Sequence, residues 1–332
     1  MIVSRSPMRL SFLGGTTDYP EYFHNSSIPG RVLGTTLDKY VYVTVLNQPS
    51  FEKVKYRFSW RVTESVSDVH EISHPVLRKL LEKKNWASPL NISTMASLPG
   101  RSGMGSSSAF TVSLISVINS LEGSVKLTAD ELAREAIEIE RFDLQEAGGW
   151  QDQYHAAIGG FRLYEFRQSG VTYTDEINPH RFQEHLSKSL VLIATGEGRD
   201  SKIHAQRTSK NIQNSQMNKY LDRLSELTKN TYDEIISSSS AASAIDALTQ
   251  GMVEGWELKK KISQHQYGEV DQLLDYGFMK GARAGKLCGA GSSGFAAFIV
   301  DPERIENFIQ NFPKESIIRV SISTTGQQIT YI

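Results

Sequence analysis

The stretch Leu98-Pro-Gly-Arg-Ser-Gly-Met-Gly-Ser-Ser-Ser-Ala109 places a glycine-rich turn and three consecutive serines directly before an apolar run, Phe110 to Leu121. The apolar run predicts a buried helix, and the first turn of a helix carries unpaired N–H groups with partial positive charge. Glycine lets the backbone turn such amides toward a ligand. The stretch therefore predicts a phosphate-binding cradle, although a serine-rich cap on an ordinary helix has the same pattern. The cradle comprises Pro99, Gly100, Gly103, Gly105, Ser106, Ser107 and Ser108.

Two further glycine-rich segments lie near the ends of the chain. A strand-like run from Ser6 ends in a Gly-Gly turn and delivers Asp18 and Tyr19, whose polar groups are well placed to bind a hydroxylated ligand. The segment Gly285-Lys-Leu-Cys-Gly-Ala-Gly-Ser-Ser-Gly294 precedes an apolar strand and predicts a tight loop that a ligand can approach closely. Turn chemistry alone would also account for each segment.

Strand and helix patterns are mixed along the chain without strict alternation, which favours an α+β fold. Thr128-Ala-Asp-Glu131 has the form of a capping box, and we expect its helix to continue to about Glu146. Residues 201–264 are mainly helical in pattern, with a serine run at 237–240 as an interruption. We expect one strand from Ile317 to Ser323. The predicted domains are residues 1–188 and residues 189–332.

Composition indicates a soluble globular protein. The 332 residues contain 39% hydrophobic and 22% charged residues with a net charge of −1, which gives no reason to expect nucleic acid or an anionic membrane as a partner. The single cysteine, Cys288, excludes an internal disulfide and fits a reducing compartment. No signal peptide or membrane-spanning run is recognisable. We therefore expect a cytoplasmic protein, and self-association into a homodimer stays open.

Two carboxylates stand on either side of a second Gly-Gly turn, in the segment from Glu138 to Tyr154. The turn at Gly148-Gly149 would fold one helix back beside the other and bring Glu140 and Asp152 near the cradle. Paired acidic groups beside a phosphate site suit metal binding and proton transfer. Spacing alone, however, fits two surface carboxylates equally well.

The three glycine-rich segments, in this order, resemble the motifs of the family of galactokinase, homoserine kinase, mevalonate kinase and phosphomevalonate kinase, the GHMP kinases. The matching pieces are Pro7 to Tyr19, Pro99 to Ala109, and Gly289 to Gly294. The resemblance spans nearly the whole chain. It implies an N-terminal domain like ribosomal protein S5 domain 2, a ferredoxin-like C-terminal domain, and an ATP-dependent kinase that uses ATP and Mg²⁺.

The same resemblance implies roles for individual residues. The family places a magnesium-binding Glu about a dozen residues before a catalytic Asp in a Gly-x-x-Asp-Gln motif, and Glu140 and Asp152 fit these positions. Glu138 is the competing metal ligand, and Ser107 would be the second ligand. Arg9 stands where the family carries a basic residue that contacts the catalytic aspartate. Asp152 would then accept the proton of the attacking hydroxyl.

Within the family, the motifs resemble those of bacterial sugar 1-kinases that act on a D-glycero-D-manno-heptose 7-phosphate. This implies a sugar phosphate as the small-molecule substrate, and a 7-phosphate requires basic groups at the far end of the sugar. Arg199 and Lys202 are candidates, although both also fit a solvated helix start. The remaining predicted substrate contacts are Asp18, Tyr19, Gly149, Gly289 and Gly291.

The sequence departs from the heptose kinases at two places. Thr16 stands where they commonly have glycine, and Ser292 and Ser293 interrupt a glycine run in the C-terminal loop. A fucose or galactose kinase is therefore the nearest alternative. A diphosphomevalonate decarboxylase and a non-catalytic ligand sensor are more distant ones. The retention of Asp152, Glu140 and the serine loop argues against the sensor.

Overall fold

The computed structural model describes residues 1–49, 51, 53–100, 102–196, 201–212, 217–264, 268–289 and 294–332, with the backbone only for residues 201–204. The strands of this part of the chain form a nine-stranded sheet and a four-stranded sheet. They are β1 (Ile2–Leu13), β2 (Gly30–Asn47), β3 (Tyr56–Ser59), β4 (Thr63–Val66), β5 (Leu90–Ala96), β6 (Arg162–Arg167), β7 (Gly170–Tyr173), β8 (Leu190–Ala194), β9 (Ala282–Leu287), β10 (Phe295–Val300), β11 (Ile317–Arg319), β12 (Ile322–Ser323) and β13 (Gln328–Tyr331).

The α-helices of the described residues range from single turns to a helix of 23 residues. None of them is long and apolar enough to cross a membrane. They are α1 (Pro20–Phe23), α2 (Pro75–Lys83), α3 (Ser106–Glu122), α4 (Ala129–Ile137), α5 (Gln151–Ile158), α6 (Phe182–Ser189), α7 (Ser201–Ile212), α8 (Asn218–Ser237), α9 (Ala241–Ser263), α10 (Glu269–Met279) and α11 (Ile305–Ile309).

The large sheet is organised around the long strand β2. One half of β2 pairs antiparallel with β6 and the other with β5, while β1 runs along its opposite edge. The register between β1 and β2 shifts between Pro7 and Arg9 and again between Ser11 and Leu13. Such irregularities re-aim side chains out of a flat sheet. They occur on the segment of β1 that carries Arg9 and leads to Asp18.

Helix α3 packs on β1 and β2 and is buried on nearly every side from Ser108 to Asn119. This agrees with its apolar composition, since a helix without a polar face must be covered by other elements. Ser113 is one of the few polar groups in this contact, and its hydroxyl donates to the Ser6 hydroxyl at 2.8 Å. The sheet therefore fixes the position of α3, and with it the position of the serine-rich N-terminus.

The small sheet has the order β11-β8-β10-β9 with antiparallel pairing throughout. Strand β10 is fully buried, and Phe298 packs against Phe308 of α11. Helices α8 and α9 pack against each other, and α9 also contacts β9 and β1. Helix α9 thus connects the small sheet with the strand that carries Arg9.

The expected α+β class is confirmed, and so are the capping box at Thr128, the buried helix after the cradle and the break between α8 and α9. The helix expected to continue to about Glu146 stays helical to Asp143, but it changes geometry, because α4 ends at Ile137 and a π-helical turn follows from Glu138 to Asp143. Hydrophobic periodicity does not distinguish these two geometries over a single turn.

The expectation of one strand from Ile317 to Ser323 is wrong. Strand β11 belongs to the small sheet and β12 to the large sheet. The crossing point is held by Asp38, whose carboxylate accepts from the Ser321 amide at 2.9 Å, while Val320 is buried. Residues 322–331, which fall in the predicted C-terminal domain, pair with β2 and β1 of the large sheet. The boundary near residue 189 itself stays a prediction.

Candidate active site

The cradle and the C-terminal glycine loop meet backbone to backbone. Gly103 has φ +73°, and a Cβ added there would lie 2.4 Å from the Cys288 carbonyl oxygen. Gly289 also has φ +73°, and its added Cβ would lie 2.7 Å from the Gly103 Cα. Side chains are therefore excluded at both positions, which explains two of the predicted glycines. Gly291 lies outside the described residues.

The cradle forms the N-terminus of α3. Gly105 caps the helix with φ +69°, and Ser106, Ser107 and Ser108 form its first turn. The amides of a first helical turn have no partner inside the helix, so they are available to bind an anion. Ser106 is half-buried, Ser107 is exposed and Ser108 is buried. Pro99 and Gly100 are exposed at the entrance to this turn.

Arg9 and Asp152, which the sequence analysis places together, form a two-pronged ion pair. Arg9 Nε donates to Asp152 Oδ1 at 2.8 Å, and a terminal guanidinium nitrogen donates to Oδ2 at 2.9 Å. The guanidinium also donates to the Gly103 carbonyl oxygen. Burial by itself would lower the pKa of Arg9, but the charge and hydrogen bonds of Asp152 outweigh burial and raise that pKa. The side chain of Asp152 is 27% exposed, so its carboxylate remains accessible beside a buried cation.

Asp152 also lies directly against the cradle. A Cβ added to Gly105 would lie 3.3 Å from Asp152 Oδ2 and 3.1 Å from Arg9 Cγ. The carboxylate therefore lies beside the residue that caps the phosphate-binding helix, close enough that a side chain there would touch it. A hydroxyl bound at Asp152 would face a phosphate bound at the N-terminus of α3.

Asp18 is fully buried, and its carboxylate is fixed by three N–H groups. Oδ1 accepts from the Thr16 amide at 2.9 Å, and Oδ2 accepts from the Gln151 amide at 3.1 Å and side chain at 3.0 Å. Burial raises the pKa of Asp18. A Cβ added to Gly149 would lie 1.8 Å from Asp18 Oδ2, so glycine is required there for Asp18 to keep its place. Tyr19 is also buried, and burial raises its pKa.

Two polar atoms beside Asp18 have no hydrogen-bond partner in the described structure. They are Ser11 Oγ and Gln151 Oε1, both buried. A Cβ added to Gly15 would lie 3.4 Å from Ser11 Oγ and 3.4 Å from the Gln151 side-chain nitrogen. Buried polar groups are normally paired. Ser11 Oγ and the Gln151 side chain therefore lie next to Gly15 with hydrogen-bonding capacity that the described residues do not use.

Glu140 is buried next to the first turn of α3. Its carboxylate accepts from the Ser108 hydroxyl at 2.9 Å, the Thr111 hydroxyl at 2.5 Å and the Gln153 side chain at 2.5 Å. Burial raises the pKa of Glu140 to about 7, against the opposing effect of these donors. Glu138, the competing metal ligand, is exposed. The structure thus brings Glu140 to the cradle, through Ser108, and leaves Glu138 at the surface.

The predicted metal ligands Ser107 and Glu140 are not joined by a hydrogen bond in the described structure. Ser107 is exposed, and its carbonyl oxygen accepts from the Thr111 hydroxyl at 3.2 Å. Among the described residues there is no cluster of three or more His, Cys, Asp or Glu side chains that would hold a metal ion. Mg²⁺ is commonly bound by one or two carboxylates together with substrate phosphates, so a complete protein cage is not required.

Two lysines at the site were missed by the sequence analysis. Lys286 is buried, and its Nζ donates to the carbonyl oxygens of Ser11 at 2.6 Å and Phe12 at 3.0 Å. Lys259 of α9 donates to the carbonyl oxygen of Gly289. A lysine inside the apolar strand β9 was a usable signal for Lys286. Lys259 gave none, because it opens a run of three lysines that has the pattern of a helix surface.

The predicted contacts to a sugar phosphate, Arg199 and Lys202, cannot be placed. Arg199 lies outside the described residues, and Lys202 lies in the backbone-only part of α7.

Comparison with known proteins agrees with the fold and the motifs. Residues 71–160 match the family described as GHMP kinases N terminal domain. The chain is 29% identical over 335 residues to D-glycero-alpha-D-manno-heptose 7-phosphate kinase of Campylobacter jejuni, covering 95% of this chain and 94% of that protein. It is 24% identical to L-fucokinase/L-fucose-1-P guanylyltransferase of Bacteroides fragilis, covering 99% of this chain but only 38% of that protein.

Solved structures show the same fold. A D-glycero-D-manno-heptose 1-phosphate kinase from Bacteroides thetaiotaomicron superposes with a TM-score of 0.79 at 24% identity, covering 100% of this chain and 99% of that one. Galactokinase of Lactococcus lactis, complexed with galactose, gives a TM-score of 0.73 at 14% identity, covering 98% and 95%. These matches show a GHMP kinase N-terminal domain at residues 71–160, and over its whole length the chain shares the fold of these kinases and is similar in sequence to the heptose phosphate kinase.

Proposed function

We propose that this GHMP kinase is a sugar 1-kinase that transfers phosphate from ATP to D-glycero-D-manno-heptose 7-phosphate and forms the 1,7-bisphosphate. Its general activity as an ATP-dependent phosphotransferase follows from the family. The observation that supports a catalytic site is the position of the Asp152 carboxylate beside Gly105, the cap of the cradle helix. An accessible carboxylate and an anion-binding helix terminus are thus adjacent.

Different residues would bind the nucleotide phosphates, accept the proton of the hydroxyl and orient the accepting carboxylate. The amides of residues 106–108 would bind nucleotide phosphates at the positive end of α3. Asp152 would accept the proton of the anomeric hydroxyl, and Arg9 would orient the carboxylate through its two hydrogen bonds. Because Arg9 also donates to the Gly103 carbonyl oxygen, it ties the position of Asp152 to that of the cradle.

Glu140 fits a bound cation. It is a buried carboxylate whose described partners are neutral hydroxyl and amide groups, and a buried charge without a countercharge is costly. Glu140 and Ser107 would hold Mg²⁺, both through the hard oxygen donors that this ion prefers. When bound, Mg²⁺ would neutralise charge on the nucleotide phosphates. Ser108 would orient the Glu140 carboxylate through its hydrogen bond.

The choice of substrate rests on similarity and on the hydroxyl-binding groups near Asp18. The relatives named above are heptose phosphate kinases and a fucokinase, so sugar acceptors are shared among them. Ser11 Oγ and Gln151 Oε1 provide a donor and an acceptor that sugar hydroxyls would satisfy. Asp18, Tyr19, Gly149, Gly289 and Gly291 would form the rest of the sugar site, and Arg199 and Lys202 would bind the 7-phosphate. Fucose or galactose is the alternative acceptor.

The test is ADP release with ATP and Mg²⁺ across D-glycero-D-manno-heptose 7-phosphate, the free heptose, fucose, galactose, mannose and mevalonate. NMR of the product would locate the new phosphate. Turnover of the heptose 7-phosphate to a 1,7-bisphosphate is the expected result. Turnover of a free sugar alone would keep the kinase assignment and replace the substrate. Binding of ATP without turnover of any acceptor would contradict the proposal and favour a sensor.

A further inference from the structure

The Lys259 ammonium lies at the junction of the two glycine loops. Its Nζ donates to the Gly289 carbonyl oxygen, and Gly289 packs against Gly103 of the cradle. The Gly103 carbonyl oxygen accepts from Arg9, and Arg9 pairs with Asp152. Every link from Lys259 to Asp152 is therefore a direct contact. A phosphate bound at the cradle beside this junction would lie near the ammonium of Lys259.

Lys259 is poorly compensated compared with its neighbours on the same helix. Lys260 forms an ion pair with Glu257 at 2.6 Å, whereas the described contacts of Lys259 are a carbonyl oxygen and the ring of Trp256 at 5.9 Å. Within the described residues, Lys259 forms no ion pair with a carboxylate. Burial and, to a smaller extent, the charge of Arg9 lower the pKa of Lys259 to about 8, against the opposing effects of Cys288 and Asp18.

The charges around Lys259 leave positive charge in excess. Lys286 of β9 binds only carbonyl oxygens in the described structure, and burial together with the charge of Lys259 lowers its pKa. Asp152 is bound to Arg9, and Asp18 is enclosed by amides. Three cations thus share the neighbourhood of two carboxylates that already have partners. An anion would remove this imbalance.

We propose that Lys259 is a phosphate-binding residue of the transfer site and donates from Nζ to a phosphate group held at the cradle beside Gly289. This rests on the proposed kinase function and deepens it. The phosphate has two sources, the terminal phosphate of the nucleotide and the phosphate that the acceptor already carries. Both present the same oxygen anions to an ammonium donor.

Three variants separate charge from structure. Lys259→Met keeps the length of the side chain and removes its charge, and Lys259→Arg keeps the charge. Lys261→Met is the matched control, because Lys261 is exposed on the same helix and contacts the Tyr220 ring. Thermal unfolding of all three would establish that they are folded. Binding of Mg²⁺ complexes of ADP and of β,γ-imido-ATP would be measured by calorimetry, followed by kcat and KM for the heptose with and without a 7-phosphate.

If Lys259 binds the terminal phosphate, Lys259→Met weakens β,γ-imido-ATP by about 10- to 100-fold more than ADP. If it binds the acceptor phosphate, KM for the 7-phosphate rises by a similar factor while KM for the free heptose stays unchanged. In either case wild-type affinity falls as the pH rises through about 8, because the ammonium then loses its proton. Lys259→Arg keeps most of the affinity and Lys261→Met keeps all of it.

Affinities and KM values of Lys259→Met that equal those of the wild type, with the same pH profile, would overturn the proposal. Equal loss of binding in Lys259→Met and Lys259→Arg would overturn it too, since charge would then not matter. A wild-type protein that turns over no acceptor would instead refute the proposed function. The comparison of ADP with β,γ-imido-ATP would still decide whether Lys259 binds the terminal phosphate.

Discussion

Asp152 and Glu140 flank the same helix terminus, yet their surroundings differ in every respect that decides the chemistry of a carboxylate. Asp152 is partly exposed, pairs with Arg9 and lies beside the cap of α3. Glu140 is buried, accepts from neutral groups and has a pKa raised to about 7. Asp152 is fixed by a cation and accessible to an acceptor, whereas Glu140 is enclosed and lacks a countercharge. The comparison supports proton acceptance at Asp152 and cation binding at Glu140.

The largest effect is expected for Asp152→Asn. The amide keeps the shape of the side chain but cannot accept the proton of the attacking hydroxyl, so kcat should fall by about 10²- to 10⁴-fold. The affinity for the nucleotide should change little, because the cradle is intact. Steady-state kinetics and calorimetric ATP binding would check this. Wild-type turnover in the variant would remove Asp152 from the role of base.

Glu140→Gln should change the response of stability to pH and to Mg²⁺. The pKa of Glu140 in the folded protein is raised from 4.5 to about 7, so the folded state holds the proton more tightly than the unfolded state. Wild-type stability should therefore fall as the pH rises from about 4.5 to 7, by about 3 kcal/mol at most, and Gln should remove this slope. Urea unfolding at several pH values, with and without Mg²⁺-ADP, would measure it.

Two results would contradict this view of Glu140. The first is a Glu140→Gln variant whose stability falls with rising pH as much as that of the wild type. The second is a wild-type slope that persists with saturating Mg²⁺-ADP, since a cation beside the carboxylate should favour the ionised form.

The two serines next to Glu140 allow a finer test. Ser108→Ala removes a donor from the charged carboxylate and should raise the pKa of Glu140 further. Ser107→Ala should leave that pKa unchanged. It should raise the Mg²⁺ concentration that gives half-maximal turnover by about 10-fold, because a metal ligand is lost. NMR titration of labelled glutamate and Mg²⁺ titration of activity would separate them. If the effects are exchanged between the two variants, Ser108 is the metal ligand.

How far the sequence predicted this site depends on whether the signal was local. Glycines at positive φ, the capping box at Thr128 and the apolar helix after the cradle are local features, and the structure contains them. The π-helical turn that carries Glu140 was not predictable, because a single turn of this kind is too short to leave a hydrophobic pattern distinct from that of an α-helix. The position of Lys259 at the site was equally unpredictable, because the three successive lysines differ only in the residues that the tertiary fold places beside them.

The pairing of β12 and β13 with the large sheet was also not predictable from local sequence. β13 pairs with β1 over Gln328 to Tyr331, although more than 300 residues separate them. A period-2 pattern predicts that a segment is a strand but does not identify its partner. Asp38 accepts a hydrogen bond from the Ser321 amide at the crossing point, and this bond can form only when β2 and β12 are adjacent. Long-range pairing of this kind is decided by packing, so the predicted domain limits could not include it.

The smallest effect is expected at Thr16, where the heptose kinases commonly have glycine. Thr16 has φ +97°, a conformation that a β-branched residue adopts only under strain, and its amide is held by Asp18. Thr16→Gly should therefore stabilise the protein by about 1 kcal/mol, after the entropy that glycine loses on folding. Thr16→Ala is the matched control, because it removes the buried methyl and hydroxyl groups but keeps a Cβ at positive φ. Thermal unfolding of both variants would isolate the strain as their difference. If Thr16→Gly is less stable than Thr16→Ala, the strain of a Cβ at this φ is smaller than the backbone entropy that glycine loses on folding, and the prediction is wrong.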